Sequence, residues 1–370
     1  MKKKHYLIEN DRIIGGGSEV VMQQVIDKLV KEGHRVTLAT YEGSRKECKS
    51  LFPYGVHFWR IAAYRRNNVK EFNLQWILQK TANAVCRIKK LILSKRGFDV
   101  AIAMKEGPCM LDISGVKAKR KYGWVHVDYR GMHWTQKMFH SIAEECQLFQ
   151  KMDQVICVSK TAEDGIKATL GNPGNLIVAH NPVNVKRIIE KAKDTCPISR
   201  IENKFLIVAA GRLTWEKNFG LLLDACAILR NEEKYEVWIL GDGPDRVQLQ
   251  KIIDKNQLDF IKLLGNIANP YPYIHQADCF VSTSRTESYG LSVQEAMILG
   301  VPVIATDCPA MRETIPADYG TVISADAKML AQEIRKLSCR NVTKLLPQYG
   351  CERKLYEDRV ERIYRILESK

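Results

Sequence analysis

The chain has 370 residues, 45% hydrophobic and 27% charged, with 57 Lys/Arg against 42 Asp/Glu and a net charge of +15. Such a composition belongs to a globular protein with room for two ordinary domains. It excludes a disordered chain, and no apolar run approaches the roughly 20 residues that span a bilayer.

In chain order, the opening MKKKHYLIEN is basic and lacks the apolar stretch of a signal peptide. It reads as a short lead into a first strand and predicts a cytoplasmic location. Short apolar runs near 4–9, 35–41, 56–61, 98–104, 122–127, 154–158 and 176–180 read as strands. A second series falls near 205–210, 235–240, 260–264, 279–283, 302–306 and 320–324. Amphipathic stretches alternate with these runs, which predicts two α/β domains, each a doubly wound parallel sheet with helices on both faces.

A polar connection at 184–203 separates the two series. Residues 1–183 thus read as one domain and 184–350 as another. The charged segment 351–370 reads as a terminal helix with Tyr356, Val360, Ile363 and Leu367 along one stripe. Eleven cysteines stand singly, with no CxxC pair and no Cys/His ligand spacing. That pattern suits a reducing compartment.

The charge is uneven. Residues 1–183 hold 30 Lys/Arg against 17 Asp/Glu, and the rest 27 against 25. The first half therefore suits an anionic surface or acceptor. Its basic stretches are Arg60 to Lys70, Arg87 to Arg96 and Lys117 to Lys121. The segment 84–96 interleaves Val85, Ile88, Leu91 and Ile92 with five cations, the pattern of a helix lying on an anionic membrane. A solvated helix packed on its own sheet fits the same pattern equally.

Glu287 and Glu295 stand eight positions apart, around a tight Ser288-Tyr289-Gly290 turn. A helix starting there offers unpaired amides to a phosphate, from Tyr289 and Gly290 through Leu291 and Ser292. If the helix ran the whole interval, the acids would lie about 12 Å apart along its axis. That matches a diphosphate with a sugar on each side. Arg212 and Lys217 follow the run LIVAAG at a strand-to-helix loop, where two cations suit the same diphosphate. A salt bridge at a loop is the plainer reading of either cation.

Gly15-Gly16-Gly17-Ser18-Glu19 opens a helix after the first strand, but Val20 stands where a dinucleotide fingerprint needs Gly or Ala. His126 and Asp128 close the run YGWVHVD, where a lone histidine is as a rule a core residue. Ser159 and Asn181 read as loop caps. There is no DxD pair after a strand, no HExxH and no Gly-x4-Gly-Lys-Ser/Thr loop, so the sequence offers neither a metal site nor an NTPase loop.

The segments AAGRLTWEKNFGLLLDA (209–225), LGDGPDR (240–246) and STSRTESYGLSVQEAM (282–297) stand in an order and spacing that resembles the retaining glycosyltransferases of family four. The resemblance implies the GT-B architecture: two Rossmann-like domains facing across a cleft, with a terminal helix crossing back to the first. It implies a nucleoside diphosphate sugar as donor, with UDP slightly favoured over GDP, and no metal or other cofactor. By the same resemblance Arg212 and Lys217 contact the diphosphate, Glu295 the ribose and Glu287 the transferred sugar. Gly16 and Gly17 line the donor phosphate, with one residue of ambiguity in register, and His126 points at the sugar. Glu313 matches a recurrent acid of the family and reads as a helix N-terminal group. The base would meet the loop 265–270. Anomeric configuration would be retained by front-face attack, the leaving phosphate helping to deprotonate the acceptor, with no protein nucleophile.

The acceptor would be a glycan, lipid-linked or membrane-proximal, as in surface polysaccharide assembly, or else a soluble one. Two rivals remain. A nucleic-acid or anion binder would use the basic half, yet no recognised module is present and no nucleic acid is expected. A dehydrogenase would need a GxGxxG fingerprint with an acid about 20 residues later, and none is found.

Overall fold

Two parallel sheets organise the chain. The computed structural model describes residues 2–13, 16–52, 55–61, 74–339 and 350–369, without the side chains of 74–83 and 350–357. Gly15 and most of the Arg60 to Lys70 stretch lie outside the described residues. The chain divides into two units, Met1–Pro182 with Asp358–Lys370, and Val183–Glu357.

The first unit carries β1 (His5–Asn10), β2 (Arg35–Thr40), β3 (Val56–Arg60), β4 (Phe98–Ala103), β5 (Ala118–Val125), β6 (Gln154–Cys157) and β7 (Leu176–Val178). They pair in the order β3-β2-β1-β4-β5-β6-β7. The second unit carries β8 (Phe205–Ala210), β9 (Tyr235–Leu240), β10 (Ile261–Gly265), β11 (Cys279–Ser282), β12 (Val303–Thr306) and β13 (Gly320–Ile323), in the order β10-β9-β8-β11-β12-β13. Every pairing between these strands is parallel. Both orders reverse beside the first strand of their sheet, at β1/β4 and β8/β11. Such switch points open a crevice at the strands' carboxyl ends.

The strands are apolar on both sides because helices cover both faces. In the second unit Leu206, Val208, Trp238 and Phe280 join one cluster, and Ile207, Ala209, Val237 and Val281 the other. Alternate residues thus feed opposite cores, as the period of two requires.

Three readings need correction. β5 starts at Ala118, four residues before the apolar run that announced it. Most of the Lys117 to Lys121 basic stretch is therefore strand, with Lys119 paired to Asp99 at 2.7 Å and Lys121 Nζ donating to the Ser114 carbonyl at 2.6 Å. The polar connection at 184–203 contains a helix, Val185–Lys191, capped by Asn184 Oδ1 on the Arg187 amide at 2.9 Å. Val185, Ile188 and Ala192 are buried in the second unit's core. Flanking charges hid that short apolar stripe. Glu313 lies in the last turn of the helix Pro309–Thr314, so it is not a helix N-terminal group.

The terminal helix Gly350–Glu368 contributes about its last three turns to the first unit. Ile363 and Leu367 are each 1% exposed, Tyr364 Oη lies 3.0 Å from His34 Nε2, and Lys28 pairs with Glu361 at 2.9 Å. Burying two such aliphatic side chains stabilises the helix by roughly 1.5–3 kcal/mol each.

Candidate active site

In the second unit, the loop after β8 is set by its neighbours. The Gly211 amide donates to the Leu240 carbonyl at 2.9 Å, Leu213 to Asp242 at 3.0 Å, and Asp245 back to Leu213 at 3.0 Å. These backbones approach closely because Gly241 and Gly243 lack a Cβ. A Cβ on Gly241 (φ +135°) would stand 1.9 Å from the Gly211 oxygen, and one on Gly243 2.3 Å from the Leu213 oxygen. The glycines of LGDGPDR therefore fasten the loop that bears Arg212 and Lys217, a role the sequence reading did not assign. Two glycines straddling one residue directly after a strand were the available signal.

Lys217 ends a single 3-10 turn, Trp215–Lys217, and Asn218 then turns left-handed (φ +51°) into the helix Phe219–Leu229. The loop after β11 fastens to this turn. Thr283 Oγ1 donates to the Lys217 carbonyl at 3.0 Å, and the Arg285 amide to the Glu216 carbonyl at 2.8 Å. Lys217 Nζ and the Glu287 carboxylate form an ion pair, and Ser284 Oγ donates to the same carboxylate at 3.2 Å. Arg212 is exposed and has no side-chain partner among the described residues.

Gly290 (φ +67°) caps the helix Leu291–Ile298, where a Cβ would press on Met311 Cε at 2.4 Å. Among the described residues no side chain caps this N-terminus. The first-turn amides of Leu291 and Ser292 are thus left for solvent or an anion. Ser288 and the buried Tyr289 form the turn ahead of it, and Thr314 Oγ1 donates to the Tyr289 carbonyl at 3.1 Å. Glu287 sits in that turn and not in the helix. The 12 Å helical span between the two acids is therefore wrong, since only 291–295 contribute helical rise. Glu295 lies in the helix and accepts from Tyr271 Oη at 3.1 Å. Burial pushes its carboxyl up to about 7, against the Tyr271 hydrogen bond, which lowers it.

The first unit holds a different set. Gly16 and Gly17 begin the helix Gly17–Lys31. Glu19 folds back over them, with Oε2 3.2 Å from Ser18 Oγ and Oε1 3.4 Å from Arg12 Nε. His126 follows β5 with its ring stacked on Trp124 at 6.1 Å between centroids. Burial, with Lys105 nearby, pulls its pKa down to about 3, against a hydrogen bond to the Met104 backbone. The ring is neutral at any ordinary pH. Its Nε2 is shut off from solvent and has no hydrogen-bond partner among the described residues.

The His126 amide donates to Glu106 Oε2 at 3.0 Å, and Trp134 Nε1 to Glu106 Oε1 at 2.8 Å. Glu106 is fully buried, and its carboxyl is pushed up by that burial. Neither Glu106 nor Trp134 stood out in the sequence. Asp128 is held by both nitrogens of Arg130's fork, Nε at 3.0 Å and Nη2 at 2.9 Å, which makes it a loop anchor. Ser159 caps the helix Lys160–Leu170 through the Ala162 amide at 3.0 Å. Asn181 is buried, its Oδ1 without a partner among the described residues. The predicted residues thus separate. Gly16, Gly17 and His126 belong to the first unit, and Arg212, Lys217, Glu287 and Glu295 to the second.

The family model described as Glycosyltransferase Family 4 matches residues 15–187, and that described as Glycosyl transferases group 1 matches 191–345. The chain belongs to this glycosyltransferase family. A lipopolysaccharide core biosynthesis glycosyltransferase of Rhizobium meliloti is 30% identical over 155 residues, 40% of this chain and 44% of that protein. An uncharacterized glycosyltransferase of Methanocaldococcus jannaschii is 37% identical over 111 residues, 29% of this chain and 27% of that protein. The chain thus spans less than half the length of these curated relatives.

Among solved structures, Anabaena HepE in complex with UDP-glucose superposes with a TM-score of 0.78 at 16% identity, covering 99% of this chain and all of that one. WaaG, a glycosyltransferase involved in lipopolysaccharide biosynthesis, gives 0.75 at 14% identity, again over 99% of this chain and all of that one. The likeness establishes the GT-B fold, with its two Rossmann-like domains.

Proposed function

We propose that this chain is a retaining hexosyltransferase. In this reading it moves a sugar from a nucleoside diphosphate sugar, UDP-linked in preference to GDP-linked, to an acceptor hydroxyl of a glycan in surface polysaccharide or glycolipid synthesis. The observation that carries the reading is the Lys217–Glu287 pair beside an uncapped helix N-terminus, at the carboxyl edge of β8 and β11. A cation there answers the diphosphate, and the acid it holds answers sugar hydroxyls. Arg212 stands free to add a second cation. Glu295, four residues into the helix, is placed for ribose hydroxyls, which would displace Tyr271. The family names of the relatives and the UDP-glucose held by HepE support the donor class.

Charge developing on the departing diphosphate is stabilised by Arg212, Lys217 and the amides at 290–292, of which Lys217 and the amides are held in place before the reaction. Each charge-assisted contact contributes about 1.5–3 kcal/mol. His126, held neutral, accepts a hydrogen bond from a sugar hydroxyl at Nε2 and is not a general acid. Attack proceeds on the leaving-group face, and the departing phosphate takes the acceptor proton.

The acceptor belongs with the first unit, as a lipid-linked or membrane-proximal glycan on the cytoplasmic side. One observation favours a membrane contact over a soluble acceptor. On the helix Leu74–Lys95, Val85, Ile88, Leu91 and Ile92 are 46–57% exposed, beside exposed Arg87 and Lys95, while Cys86 and Leu93 face inward. Sedimentation with anionic vesicles and not with neutral ones is the expected result, and equal behaviour with both would leave the soluble acceptor. Among the described residues no helix is long and apolar enough to cross a membrane.

A thermal-shift screen of UDP, GDP, ADP and their sugars tests the donor, since a ligand that binds the folded state raises its melting temperature. UDP-sugars should give the largest shift, reduced in Glu287→Gln and Glu295→Gln. Wild-type shifts in both variants would overturn the roles assigned.

A further inference from the structure

Glu106 is buried where no cation among the described residues pairs with it. It follows β4 and is 0% exposed, and its two oxygens each accept from a neutral donor. The cation next in sequence, Lys105, is paired elsewhere, with Asp11 at 2.9 Å, and lies 5.7 Å from the centre of the Trp134 ring. A carboxylate in such a place can only accept, and besides a bond from its own main chain it accepts from the main chain of His126 and from the indole of Trp134.

The surroundings keep this arrangement tight. Gly107 is left-handed (φ +76°), and a Cβ there would meet Trp134 Cη2 and Thr135 Cγ2 at 2.9 Å. The far side of the Trp134 loop is fixed to a second buried acid, Glu145. That acid accepts from Tyr129 Oη at 3.1 Å and Thr135 Oγ1 at 2.5 Å, and faces His133 Nε2 at 2.7 Å. Trp134 therefore sits between two anchored ends, and its indole reports the position of Glu106.

We infer that Glu106 is the positioning residue for His126. It clamps the histidine main chain and the Trp134 indole with one carboxylate, so that the unpartnered Nε2 is presented in a single orientation. His126 already donates to the Met104 backbone. The Glu106 clamp fixes the main chain from which that ring hangs. A glutamine in its place would keep one acceptor and turn an N–H₂ toward the other donor, so one of the two bonds must break. A role in stability alone would cost melting temperature and leave the ring as it was.

The functional weight of this inference rests on the proposal that His126 addresses a sugar hydroxyl, but its test does not. The test is ¹⁵N NMR of the full chain labelled at histidine and tryptophan, with His126→Gln assigning the ring signal and Trp134→Phe assigning the indole. The wild type should show one neutral tautomer at His126, unchanged from pH 8 to pH 5. In Glu106→Gln that signal should shift or split between tautomers, together with the Trp134 indole signal. Turnover of UDP-glucose should fall about tenfold with the donor KM within about twofold, the mark of a loss felt in the transition state. Wild-type His126 and Trp134 signals in Glu106→Gln would overturn the inference. Should that variant not fold, Trp134→Phe removes only the second donor and must still move the His126 signal, and an unmoved signal overturns it equally. Failure of the donor reading would show elsewhere, as unchanged UDP-glucose binding by Glu287→Gln.

Discussion

The two units solve the same problem of polar groups at the carboxyl edge of a parallel sheet in opposite ways. In the second, the groups are charged and only partly buried. Lys217 and Glu287 keep 26% and 13% of their side-chain surface, with Arg212 exposed beside them. In the first, ion pairs such as Lys105–Asp11 and Arg130–Asp128 stand beside groups that are shut away: His126 with its pKa near 3, Glu106 at 0% exposure, and Glu9, whose carboxyl is pushed well up by burial and by the neighbouring Asp112. An edge built of partly exposed charges suits a multiply charged diphosphate. An edge built of fixed acceptors suits hydroxyls.

The largest effect should come from Lys217→Ala. It removes a phosphate cation and leaves Glu287 unpaired. UDP affinity measured by calorimetry should fall about 10–100-fold, the equivalent of one charge-assisted contact of roughly 1.5–3 kcal/mol. His126→Ala should leave UDP affinity alone. If both variants lost UDP equally, the contrast between the units would collapse.

Gly241→Ala comes next. Its Cβ would meet a backbone oxygen at 1.9 Å from a left-handed position. Strain of this kind costs about 1–3 kcal/mol, visible in urea unfolding, and the loop displacement should weaken UDP as well. The same change at Gly171, where no heavy atom lies within 4 Å of the added Cβ, should cost stability through its φ of +79° and leave UDP binding intact.

Glu295 sharpens the comparison through pH. Its carboxyl titrates near 7 in the folded free protein, above an ordinary value of 4.5. Ribose hydroxyls need the ionised form as acceptor, so UDP affinity should rise as pH climbs through about 7. For stability the sign is the reverse. A carboxyl whose folded pKa is raised supports the fold below its unfolded pKa and loses that support as pH rises through the folded one. Glu295→Gln should flatten both trends between pH 5 and 8, and slopes like those of the wild type would assign them to other groups.

The smallest effect is at Ser159. Ser159→Ala removes a helix cap in the first unit and should cost about 1 kcal/mol in urea unfolding, with no change in UDP affinity.

The sheets were legible because strands covered on both faces are continuous apolar runs, and each of β1 to β13 lies on one. What escaped notice had charge inside it. β5 begins among lysines that read as a patch, and the helix Val185–Lys191 hides two buried residues, Val185 and Ile188, among cations. The residues proposed for the donor stood out because they lie within a few residues of strand ends, although the motif did not reveal that Lys217 and Glu287, 70 positions apart, touch each other. Glu106, Trp134 and Tyr271 carried no signal at all. Their meaning lies in contacts 20, 28 and 24 residues distant, which only the folded chain brings together.

The central claim is that Glu287, held by Lys217, reads the sugar and not the nucleotide. Calorimetric titration of Glu287→Gln with UDP and with UDP-glucose tests it directly. The account predicts that UDP-glucose affinity falls at least about fivefold, roughly one neutral hydrogen bond, while UDP binds as well as before or better, because Lys217 is released. Equal weakening of both ligands, or of neither, would contradict it.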